Sequence, residues 1–329
     1  MRAIVWTRYG SPDNLQLQEV NAPTPKDDQI LVKIHAASVT AGDCEMRRLQ
    51  LPLGLSLPMR FYAGFFKPKR ITILGQELAG EVVEVGKNVD NYQKGDQVFG
   101  TTGFGFGANA EYICLPARPD DAQGVLAAKP ASMTYEEAAV LPTAGFEALH
   151  YIRSSNLQSG DKVLVVGGGG SIGTFAIQLA KYHGAEVTAV DGPDKQALMH
   201  SLGADHVIDY TSTDYLKQSE RYDLIIDVVG RKSVGRRLKL LKPDGKYFLA
   251  FARPSQLLLA LWTSLTSQKK LIIQSANQNK QDLEYLAERL AEGKLSAVID
   301  RRFPLEEVPT AHKYSESGEK KGNIAIVIN

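Results

Sequence analysis

The sequence predicts an α/β protein: a doubly wound parallel sheet beside a second, β-rich region. Three observations predict it. The chain has 329 residues, too many for one typical domain and comfortable for two. From about residue 134 to 250, short apolar runs alternate with helical patterns, the texture of βαβ units. Before about residue 125, strand-like runs are separated by turn signals without helices between them.

Taken in order, the strand-like runs of the first region include Ile30–Ile34 and Glu81–Val85, set off by Gly86-Lys87-Asn88 and Lys94-Gly95-Asp96. At Thr134-Tyr135-Glu136-Glu137 a capping box announces a helix, with an N-cap oxygen and a glutamate three residues on. Val163–Val166 is continuously apolar and mostly β-branched, as a strand buried on both faces requires. Ile172, Phe175, Ala176 and Leu179 then recur at helical spacing. Glu186–Val190 is the next strand, and Asp194–Leu202 reads as a helix closed by Gly203. Val207-Ile208, Leu224–Val228 and Tyr247–Leu249 continue the series, followed by a helix over 282–293 and a strand over 324–328.

Composition excludes several classes. Lys plus Arg is 38 and Asp plus Glu is 37, so no basic footprint for nucleic acid stands out. Nothing near the N-terminus has the apolar length of a signal peptide. The longest strongly apolar stretch, Leu257–Trp262, is far short of the ~20 residues of a membrane span, so no transmembrane segment is expected. With Lys269 and Lys270 behind it, Leu257–Leu265 reads as a membrane-surface helix, a cover over the substrate cleft or a dimer contact. Two cysteines, Cys44 and Cys114, make a disulfide framework improbable and a cytoplasmic location the expectation.

The sharpest local signal is Gly167-Gly168-Gly169-Gly170-Ser171-Ile172-Gly173, directly after a strand and before a helix. Gly168, Gly170 and Gly173 have the G-x-G-x-x-G spacing. The first glycine makes a tight turn, the second lets backbone approach a pyrophosphate, and the third lets helix and strand pack closely. The N–H groups of Gly169, Ser171 and Ile172 and the helix dipole then attract phosphate. Asp191, 23 residues after Gly168 at the end of the next strand, is placed to accept from ribose hydroxyls and to repel a 2′-phosphate; the other reading is a solvated turn running to Lys195.

These blocks resemble the zinc-free quinone oxidoreductase-like branch of the medium-chain dehydrogenase/reductase superfamily. So do Gly75–Val83, Gly95–Gly100, Ala138–Gly145, Ser201–Tyr210 and the C-terminal run from Gly293 to Ile324. The resemblance covers essentially the whole chain. It implies a GroES-like substrate domain, residues 1–126 and 271–329, with a Rossmann dinucleotide-binding domain, residues 127–270, between them. It further implies an NAD(P)H cofactor, with NADPH the family default and NADH suggested by Asp191. Thr40 and Asp43 are expected at the nicotinamide end of the cleft, Thr143 near the cofactor ribose or phosphate, and Ala250 and Phe251 beside the nicotinamide. Asn323 stands where the family has lysine, and Lys195 joins the cofactor-binding set. Tyr62 or Arg47 is the expected donor to a substrate oxygen. The plainer readings are a capping carboxylate for Asp43 and a half-buried loop aromatic for Tyr62.

Zinc relatives use cysteine and histidine where this chain has Thr40 and Gln76, both poor zinc ligands, so no metal is expected. Without a Lewis acid, a quinone or an α,β-unsaturated carbonyl is an easier hydride acceptor than an alcohol is a donor. The expectation is therefore an NAD(P)H-dependent quinone or enone reductase and a homodimer. The alternatives are an alcohol dehydrogenase holding zinc by other ligands and a cofactor-binding redox sensor or scaffold with little turnover. The Leu49–Arg70 stretch follows no pattern that identifies the substrate.

Overall fold

The computed structural model describes residues 1–49, 53–119, 122–230, 233–250 and 254–329. It separates into two compact units. Unit 1 holds Met1–Thr143, Gln278–Glu292 and Ile299–Asn329, and unit 2 holds Ala144–Asn277 and Gly293–Val298.

Unit 1 opens with an antiparallel ribbon of β1 (Arg2–Trp6) and β2 (Leu15–Glu19). β3 (Gln29–Ser38) buries every second side chain over most of its length, as a strand with one face on a core must. There follow α1 (Ala41–Arg48), α2 (Leu53–Ala63), β4 (Glu77–Val85), β5 (Gln97–Thr101), β6 (Tyr112–Pro116) and β7 (Val125–Ala128). α3 (Tyr135–Ala139) starts from the expected capping box: Thr134 Oγ1 accepts the Glu137 N–H at 3.1 Å and Glu137 Oε2 accepts the Thr134 N–H at 2.9 Å. This helix buries Ala138 and Ala139 and packs on β3, β4 and β5. Unit 1 therefore runs to Thr143, whereas the resemblance implies a boundary at 126.

α4 (Pro142–Ser155) leads to β8 (Lys162–Val166), α5 (Ser171–Tyr182), β9 (Glu186–Asp191), α6 (Gln196–Ser201), β10 (His206–Asp209), β11 (Tyr222–Asp227), α7 (Val234–Arg237), β12 (Leu241–Leu249), α8 (Pro254–Thr266) and β13 (Lys270–Ile272). Strand order is β10-β9-β8-β11-β12-β13, and every neighbouring pair is parallel. The order reverses between β8 and β11, the kind of switch point outside which doubly wound sheets bind ligands. The helix expected over 194–202 is shorter, because Pro193 opens a separate turn, Pro193–Lys195, ahead of α6. Gly203 closes it at φ +96°, as expected. α8 exposes Leu258, Leu261, Trp262 and Leu265. Among the described residues no helix is long and apolar enough to cross a membrane.

The chain then returns to unit 1 with α9 (Lys280–Ala291), β14 (Ile299–Pro304), α10 (Val308–Ser317) and β15 (Asn323–Val327). β15 pairs antiparallel with β3, completing the order β14-β15-β3-β4-β5-β7, while β6 also pairs with β3. Ile30, Val32, Ile34, Val82, Ile324 and Ile326, from both ends of the chain, share its core.

Candidate functional site

In unit 2 the glycine loop fills the turn from β8 into α5. Gly167 makes the turn at φ +87°. A Cβ on Gly173 would lie 2.2 Å from the Gly167 carbonyl oxygen and 2.7 Å from Gly168 Cα. Glycine there is demanded by the close packing of helix on strand. A Cβ on Gly168 would meet Met199 Sδ at 2.8 Å, and one on Gly169 would meet the Lys195 stem at 2.6 Å. Gly170 differs: the nearest atom to its Cβ position is 3.5 Å away, an ordinary contact. The fold does not need glycine at 170, so the space beside it is open to a ligand.

Gly170 is the N-cap of α5 and supplies no side-chain oxygen, and the first turn carries no acid. Ser171, Ile172 and Gly173 therefore open the helix with backbone donors and the positive end of its dipole, an arrangement suited to phosphate. Asp191, at the end of β9, accepts the Gly169 N–H at 2.9 Å and the Gly192 N–H at 2.8 Å. Its carboxylate lies 3.5 Å from Lys195 Nζ, and both side chains are nearly buried. The acid is thus tied to the glycine loop rather than loose on a surface turn. The residues present fit a dinucleotide.

A second buried feature of unit 2 escaped the sequence reading. Asp227, at the end of β11, accepts from Arg237 Nη1 at 2.8 Å, from the Tyr247 hydroxyl, and from the N–H groups of Val229 and Gly230 at 3.0 and 2.9 Å. Arg237 also donates to the Tyr215 hydroxyl at 2.7 Å. Burial and the Asp227 charge both hold the Tyr247 phenol far above its ordinary range. This network fixes the Val228–Gly230 turn, and Val228 lies directly against Gly167. The available signal was a lone acid ending the apolar run Leu224–Ile226. Ala250 follows β12 and donates to the Asp227 carbonyl oxygen at 3.1 Å; Phe251 lies outside the described residues.

In unit 1, Thr40 is the N-cap of α1. Its Oγ1 accepts the Asp43 N–H at 3.1 Å and donates to Asp43 Oδ2 at 2.6 Å. Asp43 Oδ2 also accepts the Thr40 N–H at 2.9 Å, and Oδ1 accepts the Gly75 N–H at 3.2 Å. The carboxylate is fully buried, and burial pushes its pKa up against these hydrogen bonds. Asp43 therefore braces α1 against the Gly75 turn. Gln76, half-buried, sits beside Thr40: a Cβ on Gly42 would lie 3.0 Å from Gln76 Oε1 and 3.5 Å from Thr40 Oγ1. A hydroxyl and an amide stand together where zinc relatives carry a thiolate and an imidazole. Among the described residues no group of three or more His, Cys, Asp or Glu is arranged to hold a metal ion.

Arg47 corrects the sequence reading. It is 1% exposed, and its guanidinium is committed to the Gly10 carbonyl and to Glu316. It ties α1 to α10 and presents no donor at an accessible face. Thr143 likewise turns inward, its N–H donating to Glu77 Oε1 at 2.5 Å. Glu77, which the sequence reading passed over inside the Gly75–Val83 block, is fully buried and also accepts from Ser38. Burial raises its pKa to about 7. Cys44 lies 3.4 Å from His312 Nδ1 in the core, with burial pushing the thiol up to about 12 and the imidazole down to about 3. Both are neutral, so the pair packs rather than reacts. Asn323 opens β15 and is buried in unit 1.

Tyr62 is half-buried on the wall of a cavity of about 1130 Å³ in unit 1, among Pro58, Met59, Phe104, Phe106 and Arg70. The Arg70 guanidinium lies 4.4 Å over the Tyr62 ring. Among the described residues the tyrosine hydroxyl makes only a long contact, 3.4 Å, to the Phe104 carbonyl. It is available to a ligand in a way that Arg47 is not.

Two family models match the chain, one described as an alcohol dehydrogenase GroES-like domain over residues 26–120 and one as a zinc-binding dehydrogenase over residues 202–326. The chain is 31% identical over 338 residues to the 2-methylene-furan-3-one reductase of Solanum lycopersicum, spanning 99% of this chain and 79% of that one. It is 29% identical, with the same spans, to the chloroplastic NADPH-dependent alkenal/one oxidoreductase of Arabidopsis thaliana. Among solved structures, the quinone oxidoreductase from Coxiella burnetii superposes with a TM-score of 0.88 at 30% identity, covering 100% of this chain and 99% of that one.

Proposed function

Because the chain belongs to the quinone oxidoreductase-like branch of the medium-chain dehydrogenase/reductase superfamily, we propose that it is an NAD(P)H-dependent oxidoreductase that delivers hydride to a quinone or an α,β-unsaturated carbonyl without a metal ion. The observation that carries the reading is the contrast inside the glycine loop. Gly173 is required by packing, whereas Gly170 faces open space at an uncapped helix start. The names of the relatives, an enone-type reductase, an alkenal/one oxidoreductase and a quinone oxidoreductase, support the substrate class.

When bound, the dihydronicotinamide supplies the hydride. The chain's own work is to hold the dinucleotide and to stabilise charge on the acceptor oxygen. The amides of Ser171 and Ile172 would hold the pyrophosphate, and Asp191, which also fastens the Gly169 N–H, would hold the adenosine ribose hydroxyls. The Tyr62 hydroxyl is the proposed hydrogen-bond donor to the acceptor oxygen, and Thr40, whose own hydroxyl already donates to Asp43, is the proposed neighbour of the nicotinamide. Metal-free chemistry is supported by the Thr40–Gln76 pair, which offers no soft ligand. A homodimer and a cytoplasmic location belong to the same reading, which sedimentation and fractionation test.

NADH is the proposed preference. A 2′-phosphate on the ribose bound by Asp191 would sit against that carboxylate, and Lys195 at 3.5 Å only partly offsets the repulsion. The test is steady-state oxidation of NADH and NADPH by a panel of quinones and enones, for the parent and Asp191→Ser. The expected result is turnover in the parent with NADH ahead, and a shift of about tenfold toward NADPH in the variant, worth about 1.4 kcal/mol. An unchanged ratio removes the role of Asp191. Calorimetric binding of dinucleotide with no oxidation by any acceptor turns the reading toward a sensor.

A further inference from the structure

The segment from Leu57 to Arg70 in unit 1 has no role in the reaction described above, apart from the side chains that line the large cavity. Phe61 is 72% exposed and Phe66 88% exposed, with Leu57 and Phe65 also exposed. Isolated exposed apolar residues are ordinary, but adjacent aromatic rings at this exposure are not. Phe61, Phe65 and Phe66 form a continuous aromatic cluster, with centroids 5.5 Å and 4.9 Å apart.

Every charge carried by this stretch of chain is positive. Between Arg48 and Glu77 the sequence has Arg60, Lys67, Lys69 and Arg70 and no acidic residue. Four cations, Arg8, Arg60, Lys67 and Lys69, line a second cavity of about 610 Å³ with Tyr9 and Phe66, and among the described residues no acid lines it. Arg60 is fixed in that wall, its guanidinium 5.1 Å over the Tyr9 ring and donating to the Phe65 carbonyl at 3.1 Å. A concave cationic site with an aromatic rim matches a phosphate-bearing headgroup above an acyl boundary. Lysine and arginine attract anionic lipid, and aromatic rings insert at the interface.

We propose that Leu57–Arg70 docks unit 1 on an anionic lipid bilayer, with lipid phosphates in the Arg8–Arg60–Lys67–Lys69 cavity and the Phe61 and Phe66 rings in the acyl boundary. α2 has a second use in this arrangement. Pro58, Met59 and Tyr62 on the same helix line the large apolar cavity. A membrane-dissolved quinone or enone thus meets the cavity without crossing water. This last step rests on the proposed function; the docking does not.

The test is flotation of the full chain with vesicles of phosphatidylcholine, with and without phosphatidylserine, beside turnover of a short water-soluble enone. The parent is expected to float with the anionic vesicles, poorly with the neutral ones, and less as salt rises. Lys67→Glu with Lys69→Glu lowers the partition by about thirty-fold or more. Phe61→Ser with Phe66→Ser also lowers it, and both variants keep the soluble-enone rate. Phe66→Trp retains the aromatic ring and reports insertion by a blue-shifted emission on adding anionic vesicles. The docking proposal is overturned by no flotation with anionic vesicles, by flotation indifferent to both double variants, or by an unshifted tryptophan. It is equally overturned if the phenylalanine variants change only the sedimentation coefficient, which would make the cluster a contact between copies. Flotation without oxidation of NADH or NADPH by any quinone or enone sinks the proposed function and leaves the docking standing.

Discussion

The glycine loop of unit 2 and the Thr40–Asp43–Glu77 cluster of unit 1 are both built around hydrogen bonds to carboxylates, yet they face opposite ways. In unit 2, Asp191 fastens the loop from behind, and the donors of Ser171 and Ile172 start a helix with no side-chain cap. In unit 1, Asp43, Glu77 and Arg47 are turned inward and their hydrogen bonds close on the chain itself. A binding site made of backbone needs a helix start that no side chain of the chain caps. A cluster whose hydrogen bonds are spent within the chain is scaffold, even when it stands at positions where relatives carry catalytic groups.

The comparison breaks most directly at two glycines. Gly173→Val sets a side chain into backbone atoms, so a loss of at least about 3 kcal/mol of stability is expected, together with dinucleotide binding. Gly170→Val meets no such obstacle, so its melting temperature should stay within the range of a surface change while calorimetric binding disappears. Equal thermal losses in the two variants would erase the distinction between packing glycine and ligand glycine.

Arg47→Met sharpens the other side. It removes a buried cation, deprives the Gly10 carbonyl of its donor and leaves Glu316 with Arg48 alone at 3.4 Å, for an expected loss of about 2 kcal/mol, discounted because Glu316 is partly exposed. The kcat/KM for an enone should hold at a temperature where both proteins are folded. A large fall in kcat/KM with an unchanged unfolding midpoint would return Arg47 to the substrate.

Glu77 gives a smaller effect, visible only as pH changes. Its pKa is about 7 in the fold, against about 4.5 when unfolded. Between these values the folded state binds more protons, so this group's contribution to stability falls as pH rises from about 4.5 to 7 and is flat above. The total is at most about 3 kcal/mol. His312, lowered to about 3, slopes the opposite way, its contribution being lost as pH falls below 6.5. The informative quantity is therefore the difference between Glu77→Gln and the parent in denaturation midpoint at pH 5 and pH 8. The variant should gain relative to the parent at the higher pH; a difference independent of pH would mean that Glu77 is ionised throughout.

The same contrast explains what could be read from the sequence alone. The parallel sheet was legible because Val163–Val166 is apolar on both faces and Gly173 leaves a spacing that backbone geometry imposes. The capping box at Thr134 was legible because both its partners lie within four residues. Asp227 and Arg237 meet across ten residues with Tyr247, and Glu77 meets Thr143 across sixty-six, so no local pattern records them. Asp43 and Arg47 were singled out by position in a resemblance. Position gives a residue its neighbourhood but not the direction in which its side chain points.

One consequence lies in the order of synthesis. β15 pairs with β3, Ala325 opposite Ser38, and the sheet of unit 1 has no other source for its β15 and β14 strands. The parallel sheet of unit 2, by contrast, is complete by Ile272. On the ribosome the parallel sheet of unit 2 is made first, while β3 waits with an unpaired edge over Ala36–Ser38 until β15 emerges. That exposed edge is the interval in which this chain is most open to chaperones and to misassembly.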